Sequence, residues 1–273
     1  MFIGYAAGSA IDIVSEGTYN SAVLETLSKE TDMDIKGVVL AGGTGSRLMP
    51  LTKVTNKHLL PVGHKPMIYY PIEKFLSAGI KEILIVTGVE HMGDVVTLLG
   101  SGKDFKCRFT YKVQDEAGGI AQALSLAENF ATGQPIAVIL GDNIFQASLK
   151  EHAEKFAKQK HGARVLLQEV PDPNRFGVAE LSGKKVVGIE EKPKKPKTNL
   201  AVTGIYFYDG NVFDIIRTLK PSARGELEIT DVNNAYISKG QLEYDILDGW
   251  WSDAGTFDSL NRVNELVAKE PPK

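Results

Sequence analysis

Short apolar runs and amphipathic stretches alternate along most of the chain and predict an α/β fold. The runs Ile35–Ala41, Glu82–Thr87 and Ile136–Leu140 have the length and composition of buried strands. Between them, Pro66–Gly79 and Ile120–Phe130 carry apolar residues at helical spacing. Because strands alternate with helices of this length, we expect βαβ units that form a mostly parallel central sheet flanked by helices.

The pattern changes after about residue 163, where strands follow one another with few helices between them. Val165–Val170, Val178–Leu181, Lys185–Glu190 and Val202–Tyr208 are strand-like, and Ser182-Gly183 is a hairpin signal. We therefore expect an inserted, more antiparallel half that supplies the second wall of a cleft. The remaining predicted elements are helices at Val212–Leu219 and Ile229–Lys239, a strand at Leu242–Leu247, and a helix at Phe257–Ala268.

Residues 1–34 precede the first core strand and do not follow this pattern. Their one helical stretch is Asn20–Lys29. One interpretation is a dispensable extension, either an upstream start or an added segment. The other is a helix that packs on the surface or at a subunit contact.

The composition excludes several classes of protein. A chain of 273 residues with 43% apolar and 24% charged residues is ordinary for a globular enzyme. The net charge of −3 gives no basic field for nucleic acid, and we expect no such partner. No apolar run could span a membrane, and Met1–Val14 makes a poor signal peptide. The single Cys107 permits no intrachain disulfide, so we expect a cytoplasmic protein.

A glycine-rich turn, Gly42-Gly43-Thr44-Gly45, follows the first predicted strand and leads to Arg47. Glycines let backbone N–H groups approach a polyphosphate, and an arginine can hold phosphate oxygens with two hydrogen bonds. The spacing matches neither the dinucleotide-binding fingerprint nor the Walker P-loop. On the residues alone, a tight structural turn remains the alternative.

Three charged residues have an ordinary interpretation beside a functional one. Lys57 is either a surface charge or a cation held beside the same phosphates. Asp142 follows a buried strand, where ligand crevices form in open α/β sheets, but it also fits a turn or a helix cap. Asp253, far along the chain, is a surface acid unless other motifs place it.

Those motifs occur in order between Ile35 and Asn264, and together they resemble the glucose-1-phosphate thymidylyltransferases, or dTDP-glucose pyrophosphorylases. The matching stretches are Gly42–Leu48, Asn56–Val62, Lys65–Pro71, Gly118–Ala123, Leu140–Asn143, Glu190–Pro193, Ala201–Asp209, Arg224–Asp231 and Trp251–Thr256. The resemblance implies a Rossmann-like sheet of the nucleotide-diphospho-sugar transferase type. It also implies a single domain at 35–273, with a nucleotide-binding half at 35–160 and a sugar-binding half at 161–273.

The resemblance assigns a nucleotide site and a metal site. Arg47 and Lys57, with Lys192, are the implied catalytic cations, and the first two neutralise the phosphates that leave as pyrophosphate. Asp142 and Asp253 are the implied ligands of Mg²⁺, the expected cofactor, which favours carboxylates together with substrate phosphates. The implied nucleotide-binding residues are Leu40, Gly42, Gly43, Thr44, Gly45, Gln114, Gly119 and Asp142.

The implied sugar site depends mostly on the second half of the chain. Lys192 would hold the sugar phosphate, and Trp251 is either an apolar wall beneath the nucleotide or core. The implied sugar-binding residues are Asn143, Gly177, Glu191, Lys192, Val202, Tyr206 and Glu226. The chain departs from the family at His58, where Gln is usual, and at Phe176, where a tyrosine-like residue is expected. These departures affect sugar preference rather than the phosphate and metal groups.

The implied reaction joins dTTP to glucose 1-phosphate, giving dTDP-glucose and pyrophosphate, and the implied assembly is a homo-oligomer. Longer members carry a helical extension linked to regulation, which we do not expect here after Asp253. Another nucleotide, such as UTP, or another sugar 1-phosphate is the first alternative. A non-catalytic nucleotide-sugar sensor is the second, although such a protein would be expected to lose Arg47, Lys57 or the carboxylates.

Overall fold

The computed structural model describes residues 34–273, which all lie within one compact unit. The predicted helix Asn20–Lys29 therefore lies outside the described residues. The proposed division of 35–273 into two halves stays a prediction.

Thirteen strands and eight α-helices are found in residues 34–273. The strands are β1 Lys36–Ala41, β2 Pro61–Val62, β3 Lys65–Pro66, β4 Glu82–Gly88, β5 Arg108–Gln114, β6 Ile136–Leu140, β7 Asn143–Phe145, β8 Ala163–Glu169, β9 Gly177–Ser182, β10 Lys185–Glu191, β11 Leu200–Tyr208, β12 Leu242–Ile246 and β13 Trp251–Asp253. The helices are α1 Tyr69–Ser77, α2 Met92–Leu99, α3 Ile120–Ser125, α4 Glu128–Ala131, α5 Lys150–Gln159, α6 Val212–Thr218, α7 Ile229–Ser238 and α8 Phe257–Lys269.

The centre of the fold is a sheet in which β5, β4, β1 and β6 run parallel in that order. Strand β1 shows why the sheet is buried on both faces. Val38 and Leu40 enter the apolar cluster on one side, while Val39 and Ala41 enter the cluster on the other. The predicted α/β fold with a mostly parallel central sheet is confirmed.

Strand β11 changes partner along its length, and this opens the sheet. Its carboxyl-terminal half, Ile205–Tyr208, pairs antiparallel with β6. At its other end, Ala201 pairs with Val178 of β9, so the β9–β10 hairpin replaces β6 at the same edge of β11. The gap between β6 and β9 is the cleft, and the antiparallel character expected of the second half is confirmed.

Two predicted helices differ from the structure. The stretch Pro66–Gly79 becomes helical only at Tyr69, because Lys65–Pro66 pairs with Pro61–Val62 as a short strand. Pro71 is tolerated because it lies in the first turn of α1. The predicted helix Ile120–Phe130 is interrupted after Ser125 and resumes at Glu128.

A half-buried cluster of polar and charged side chains joins α5 to the edge of the sheet. Asp245 of β12 accepts hydrogen bonds from His152 Nδ1 at 2.8 Å and Arg164 Nη1 at 2.9 Å. Lys155 Nζ lies 3.5 Å from the same carboxylate. Burial alone would raise the pKa of Asp245, but the hydrogen bond from His152 and these positive charges outweigh it and lower the pKa.

We therefore expect Asp245→Asn to lower the free energy of unfolding by about 1–3 kcal/mol at pH 7. A lowered folded-state pKa stabilises the fold above the unfolded value of about 3.9 and is lost as the pH falls through the folded value. The difference from wild type should thus shrink below about pH 4. Denaturant titrations at several pH values test this, with the exposed Asp214→Asn as control. A difference that does not depend on pH would contradict it.

Candidate active site

The site lies at the carboxyl ends of β1 and β6, which are adjacent and parallel. Leu40 pairs with Leu140, and Gly141 N–H donates to Leu40 O at 2.9 Å. The glycine turn after β1 and Asp142 after β6 are therefore neighbours. This is the edge at which ligands bind in open α/β sheets.

The glycine turn follows a path that side chains would block. Gly45 has φ +62°, and a methyl group there would lie 2.8 Å from Thr52 Cγ2 and 3.3 Å from Lys57 Cβ. A methyl group on Gly42 would lie 2.5 Å from Gln114 Oε1. Only glycine fits these positions without displacement. The turn thus lies directly against Lys57 and Gln114.

Lys57 and Asp142 form an ion pair with 2.5 Å between Nζ and Oδ2. Burial opposes ionisation of Asp142, but Lys57 holds its pKa well below the usual range. His58, next to this pair, packs against Gly141, where a methyl group would lie 2.7 Å from its ring. Burial first, and then the charge of Lys57, lower the pKa of His58 to about 3, so its ring is neutral at neutral pH.

Asp142 and Asp253 meet because β7 and β13 pair. Asp253 is the register partner of Asn143, and Ala254 N–H donates to Asp142 O at 2.9 Å. A methyl group on Gly255 would lie 3.1 Å from Asp253 Oδ2, 3.6 Å from Asp142 Oδ2 and 3.0 Å from Arg47 Nη2. Two acidic side chains distant in sequence and the arginine after the glycine turn thus surround one point.

This donor set suits a divalent cation that also binds a ligand's phosphates. Within residues 34–273, no group of three or more His, Cys, Asp or Glu side chains is arranged to hold a metal by itself. Mg²⁺ commonly uses one or two carboxylates and takes its other oxygens from phosphates and water. Asp142 and Asp253 therefore fit a metal that takes its remaining ligands from water and, once bound, from a substrate.

Asn143, the first residue of β7, contacts both Asp142 and strand β13. Its Oδ1 accepts from Trp251 Nε1 at 2.7 Å and Gly204 N–H at 3.0 Å, and its Nδ2 donates to Asp142 at 2.9 Å. The residue is 3% exposed. Asn143 lines the cleft, but these contacts make it a support for Asp142. Trp251, buried in the core, also lines the cleft.

Two cavities adjoin at Arg47, Asp142 and Glu226. The first contains most of the predicted nucleotide-binding residues: Leu40, Gly42, Gly43, Gln114, Gly119 and Asp142, with Lys57. The second contains all the predicted sugar-binding residues, namely Asn143, Gly177, Glu191, Lys192, Val202, Tyr206 and Glu226, with Asp253. Thr44 lies in a neighbouring pocket beside Gly43 and Lys57. One continuous cleft thus brings these residues together.

The second cavity is strongly polar on one side. Lys192 has an unusual φ of +45° for a side-chain-bearing residue, and its Nζ lies 3.5 Å from Glu191 Oε1. Glu191 also accepts a hydrogen bond from Thr230 Oγ1 at 2.6 Å. Arg224 lies 3.5 Å from Glu191 and 3.4 Å from Glu226. This wall therefore offers two carboxylates, Glu191 and Glu226, that can accept hydrogen bonds from hydroxyl groups. It also offers two cations, Lys192 and Arg224, that can bind phosphate.

Sequence reasoning missed several residues of this cavity. Arg175 forms an ion pair with Asp253, with 3.0 Å between Nη2 and Oδ1. Asn233, fully buried in α7, lines the cavity, and its Nδ2 has no hydrogen-bond partner among the described residues. The sequence signal that could have found Arg175 is its position two residues before the predicted site residue Gly177. Asn233 has no such sequence signal, because only the fold places α7 against β11.

Gly119→Ala should lower the stability of the fold strongly, because Gly119 lies directly against the backbone of Leu227. Gly119 has φ +98°, and a methyl group there would lie 2.5 Å from the backbone oxygen of Leu227. Its φ of +98° and ψ of 173° are accessible essentially only to glycine, so we expect the backbone strain to cost about 1–3 kcal/mol of unfolding free energy. The clash with a backbone atom should cost a further amount of about 1–3 kcal/mol. Denaturant unfolding measures the sum.

Gly133→Ala is the matched control for that experiment. Gly133 has φ +80°, but a methyl group there meets nothing within 4 Å. It therefore reports the cost of an alanine at a positive φ without the clash. Equal losses in the two variants would contradict a steric role for Gly119.

Comparisons with known proteins agree with this geometry. The family described as nucleotidyl transferase matches residues 36–270. A glucose-1-phosphate thymidylyltransferase of Neisseria meningitidis is 45% identical over 237 residues, which cover 85% of this chain and 82% of that protein. Family members generally use a divalent metal.

Two solved structures share the fold. A candidate glucose-1-phosphate thymidylyltransferase from Bacillus anthracis, crystallised with sucrose, is 60% identical, with a TM-score of 0.83 over 85% of this chain and 94% of that one. A UDP-glucose pyrophosphorylase complexed with UDP-glucose is 26% identical, with a TM-score of 0.76 over 86% of this chain and 99% of that one. The chain therefore belongs to the nucleotidyl transferase family.

Proposed function

We propose that this protein transfers a thymidylyl group from dTTP to α-D-glucose 1-phosphate and releases pyrophosphate. The observation that carries the proposal is the convergence of Arg47, Lys57, Asp142 and Asp253 where the two cavities meet. A nucleotide in one cavity and a sugar phosphate in the other would bring their phosphates to this point. The names of the 42–45% identical bacterial relatives support the choice of substrates.

The reaction needs charge neutralisation more than proton transfer. A phosphate oxygen of the sugar 1-phosphate attacks the α-phosphorus of dTTP, a new P–O bond forms, and the bond to the β-phosphate breaks. The nucleophile is already an anion, so no general base is required. Arg47 and Lys57 offset the charge on the departing pyrophosphate, and Lys192 holds the sugar phosphate. Positioning and positive charge dominate such transfers.

Mg²⁺ is the cofactor we propose, with Asp142 and Asp253 as its protein ligands. When bound, such a cation withdraws charge from phosphate oxygens. The chain's own contribution is to hold both carboxylates facing one point and to keep Asp142 ionised. Lys57 keeps Asp142 charged, and Asn143 fixes its orientation through the hydrogen bond at 2.9 Å.

The second cavity has the chemistry of a sugar site. Glu191 accepts hydrogen bonds, and the buried Nδ2 of Asn233 would gain a partner from a ligand oxygen. Tyr206 lines the same space. Gln114 lies beside the glycine turn, where we assign it to the pyrimidine edge. Its Nε2 donates to Gln122 at 2.6 Å in the free protein and must be released or shared.

Uridylyl transfer is the second candidate, favoured by the likeness to the UDP-glucose pyrophosphorylase. A pyrophosphate-release assay over dTTP, UTP, dCTP and dATP, each with a panel of hexose 1-phosphates, decides between them. We expect the highest kcat/KM with dTTP and glucose 1-phosphate. A preference for UTP would replace the nucleotide assignment, and no release with any pair would support the sensor alternative.

We propose a homo-oligomer that works in the cytoplasm without nucleic-acid or membrane partners. Among the helices of residues 34–273, none is long and apolar enough to cross a bilayer.

A further inference from the structure

Each of the two site aspartates is held by a basic side chain from a different loop. Lys57 binds Asp142, and Arg175 binds Asp253. The proposed function gives Lys57 a role at the leaving phosphates. It gives Arg175 none, although Arg175 lines the same cavity.

Arg175 is fixed at three points. Its Nη2 donates to Asp253 Oδ1 at 3.0 Å and Oδ2 at 3.2 Å, and its Nη1 donates to Asp172 at 2.8 Å. Its guanidinium carbon lies 5.0 Å from the centre of the Phe176 ring. The group is planar, permanently charged and 29% exposed, so it can exchange one anion for another without leaving the cleft.

The contact with Asp253 cannot survive unchanged when a divalent cation binds there. The guanidinium engages both carboxylate oxygens, which are the donors a cation would take. Lys57 contacts only one oxygen of Asp142, whereas the guanidinium of Arg175 spans both oxygens of Asp253. A cation bound to Asp253 therefore repels this group at short range and displaces it from the carboxylate. Asp172 and Phe176 remain as its attachments.

The surroundings of Arg175 indicate which group its guanidinium binds after it leaves Asp253. Its neighbour Phe176 accepts a hydrogen bond from Lys192 N–H at 2.9 Å, which places the two loops side by side. Gly177, the next residue, lines the proposed sugar cavity. A phosphate group that lies between Lys192 and Asp253 would meet the released guanidinium, which binds phosphate with paired hydrogen bonds.

We propose that Arg175 holds Asp253 in the ligand-free protein and transfers to the phosphate of the sugar substrate when a divalent cation takes Asp253. The identity of that phosphate rests on the proposed function, whereas the competition for Asp253 does not. Arg175 thereby keeps the acidic site neutralised before binding and becomes a phosphate ligand afterwards.

The test measures Mn²⁺ binding to the full chain without nucleotide, by electron paramagnetic resonance. We expect Arg175→Gln to tighten Mn²⁺ binding roughly fivefold, because the cation no longer displaces an ion pair. Arg175→Lys, which keeps the charge without the paired contact, should fall between. In an Asp253→Asn background, Arg175→Gln should have no effect.

Arg217→Gln is the control for a general change of charge, because Arg217 is 55% exposed and pairs with Glu128 and Asp214 away from the cleft. It should leave Mn²⁺ affinity unchanged. Equal affinity in wild type and Arg175→Gln, including no measurable binding to either, overturns the proposal. So does an equal gain in the Asp253→Asn background, which would mean that only net charge matters.

Steady-state kinetics then test the second half. Arg175→Gln should raise KM for glucose 1-phosphate about tenfold while KM for dTTP changes much less. Equal effects on both substrates would refute transfer to the sugar phosphate. A protein that binds Mn²⁺ as expected but shows no transfer with any substrate pair would sink the proposed function and leave the competition for Asp253 established.

Discussion

Lys57→Ala should lower kcat for thymidylyl transfer by about 10²–10³-fold, in line with the loss of one well-placed charge from a site that stabilises developing negative charge. Lys57 lies 2.5 Å from Asp142 and beside the glycine turn, so its loss removes a cation and leaves a buried carboxylate without its partner. Initial rates of pyrophosphate release at saturating Mg²⁺ measure the effect.

Two controls separate catalysis from folding in that experiment. Lys53→Ala removes an exposed lysine from the preceding short helix and should leave kcat unchanged. Circular dichroism and a denaturant titration establish whether Lys57→Ala still folds. A folded Lys57→Ala protein with near wild-type turnover would remove Lys57 from the mechanism.

Asp253→Asn should cost at least about 10²-fold in turnover and weaken the dependence on Mg²⁺. The asparagine keeps the shape of the side chain and one acceptor oxygen, but it loses the charge that a divalent cation needs. Rates measured across a Mg²⁺ titration would show a higher concentration at half-maximal activity.

Asp258→Asn serves as the comparison, because Asp258 lies five residues further, in the first turn of α8, and is exposed. It should retain both the rate and the Mg²⁺ dependence of the wild type. An Asp253→Asn variant with an unchanged Mg²⁺ titration would mean that the cation is held elsewhere.

The buried strands were predictable because their apolar runs leave few alternatives. Ile136–Leu140 became β6 with the predicted bounds, and the hairpin at Ser182-Gly183 is confirmed. Edge elements were harder to find. Strand β5 alternates exposed and half-buried positions and has no apolar run, so Arg108–Gln114 gave little signal. Helix α5 is mostly polar, with only three buried residues.

The site residues that lie within recognisable sequence motifs could be predicted, and those outside the motifs could not. Asp142 and Asp253 could be paired only through the resemblance, because a three-residue ladder between β7 and β13 brings them together. No local sequence pattern predicts so short a pairing of strands. The same limit applies to Arg175, whose partner is 78 residues away.

The β9–β10 hairpin, which forms one wall of the proposed sugar cavity, has a single paired position with strand β11. Its paired position with β11 is Ala201 with Val178, and Asn234 of α7 adds two hydrogen bonds to the backbone of Ile189, at 3.0 and 2.8 Å. The hairpin is otherwise held by side chains buried in the core, among them Ala179, Val186 and Ile189. Substitutions at its exposed positions would therefore change this wall of the cleft while leaving the parallel strands that carry the glycine turn and Asp142 in place.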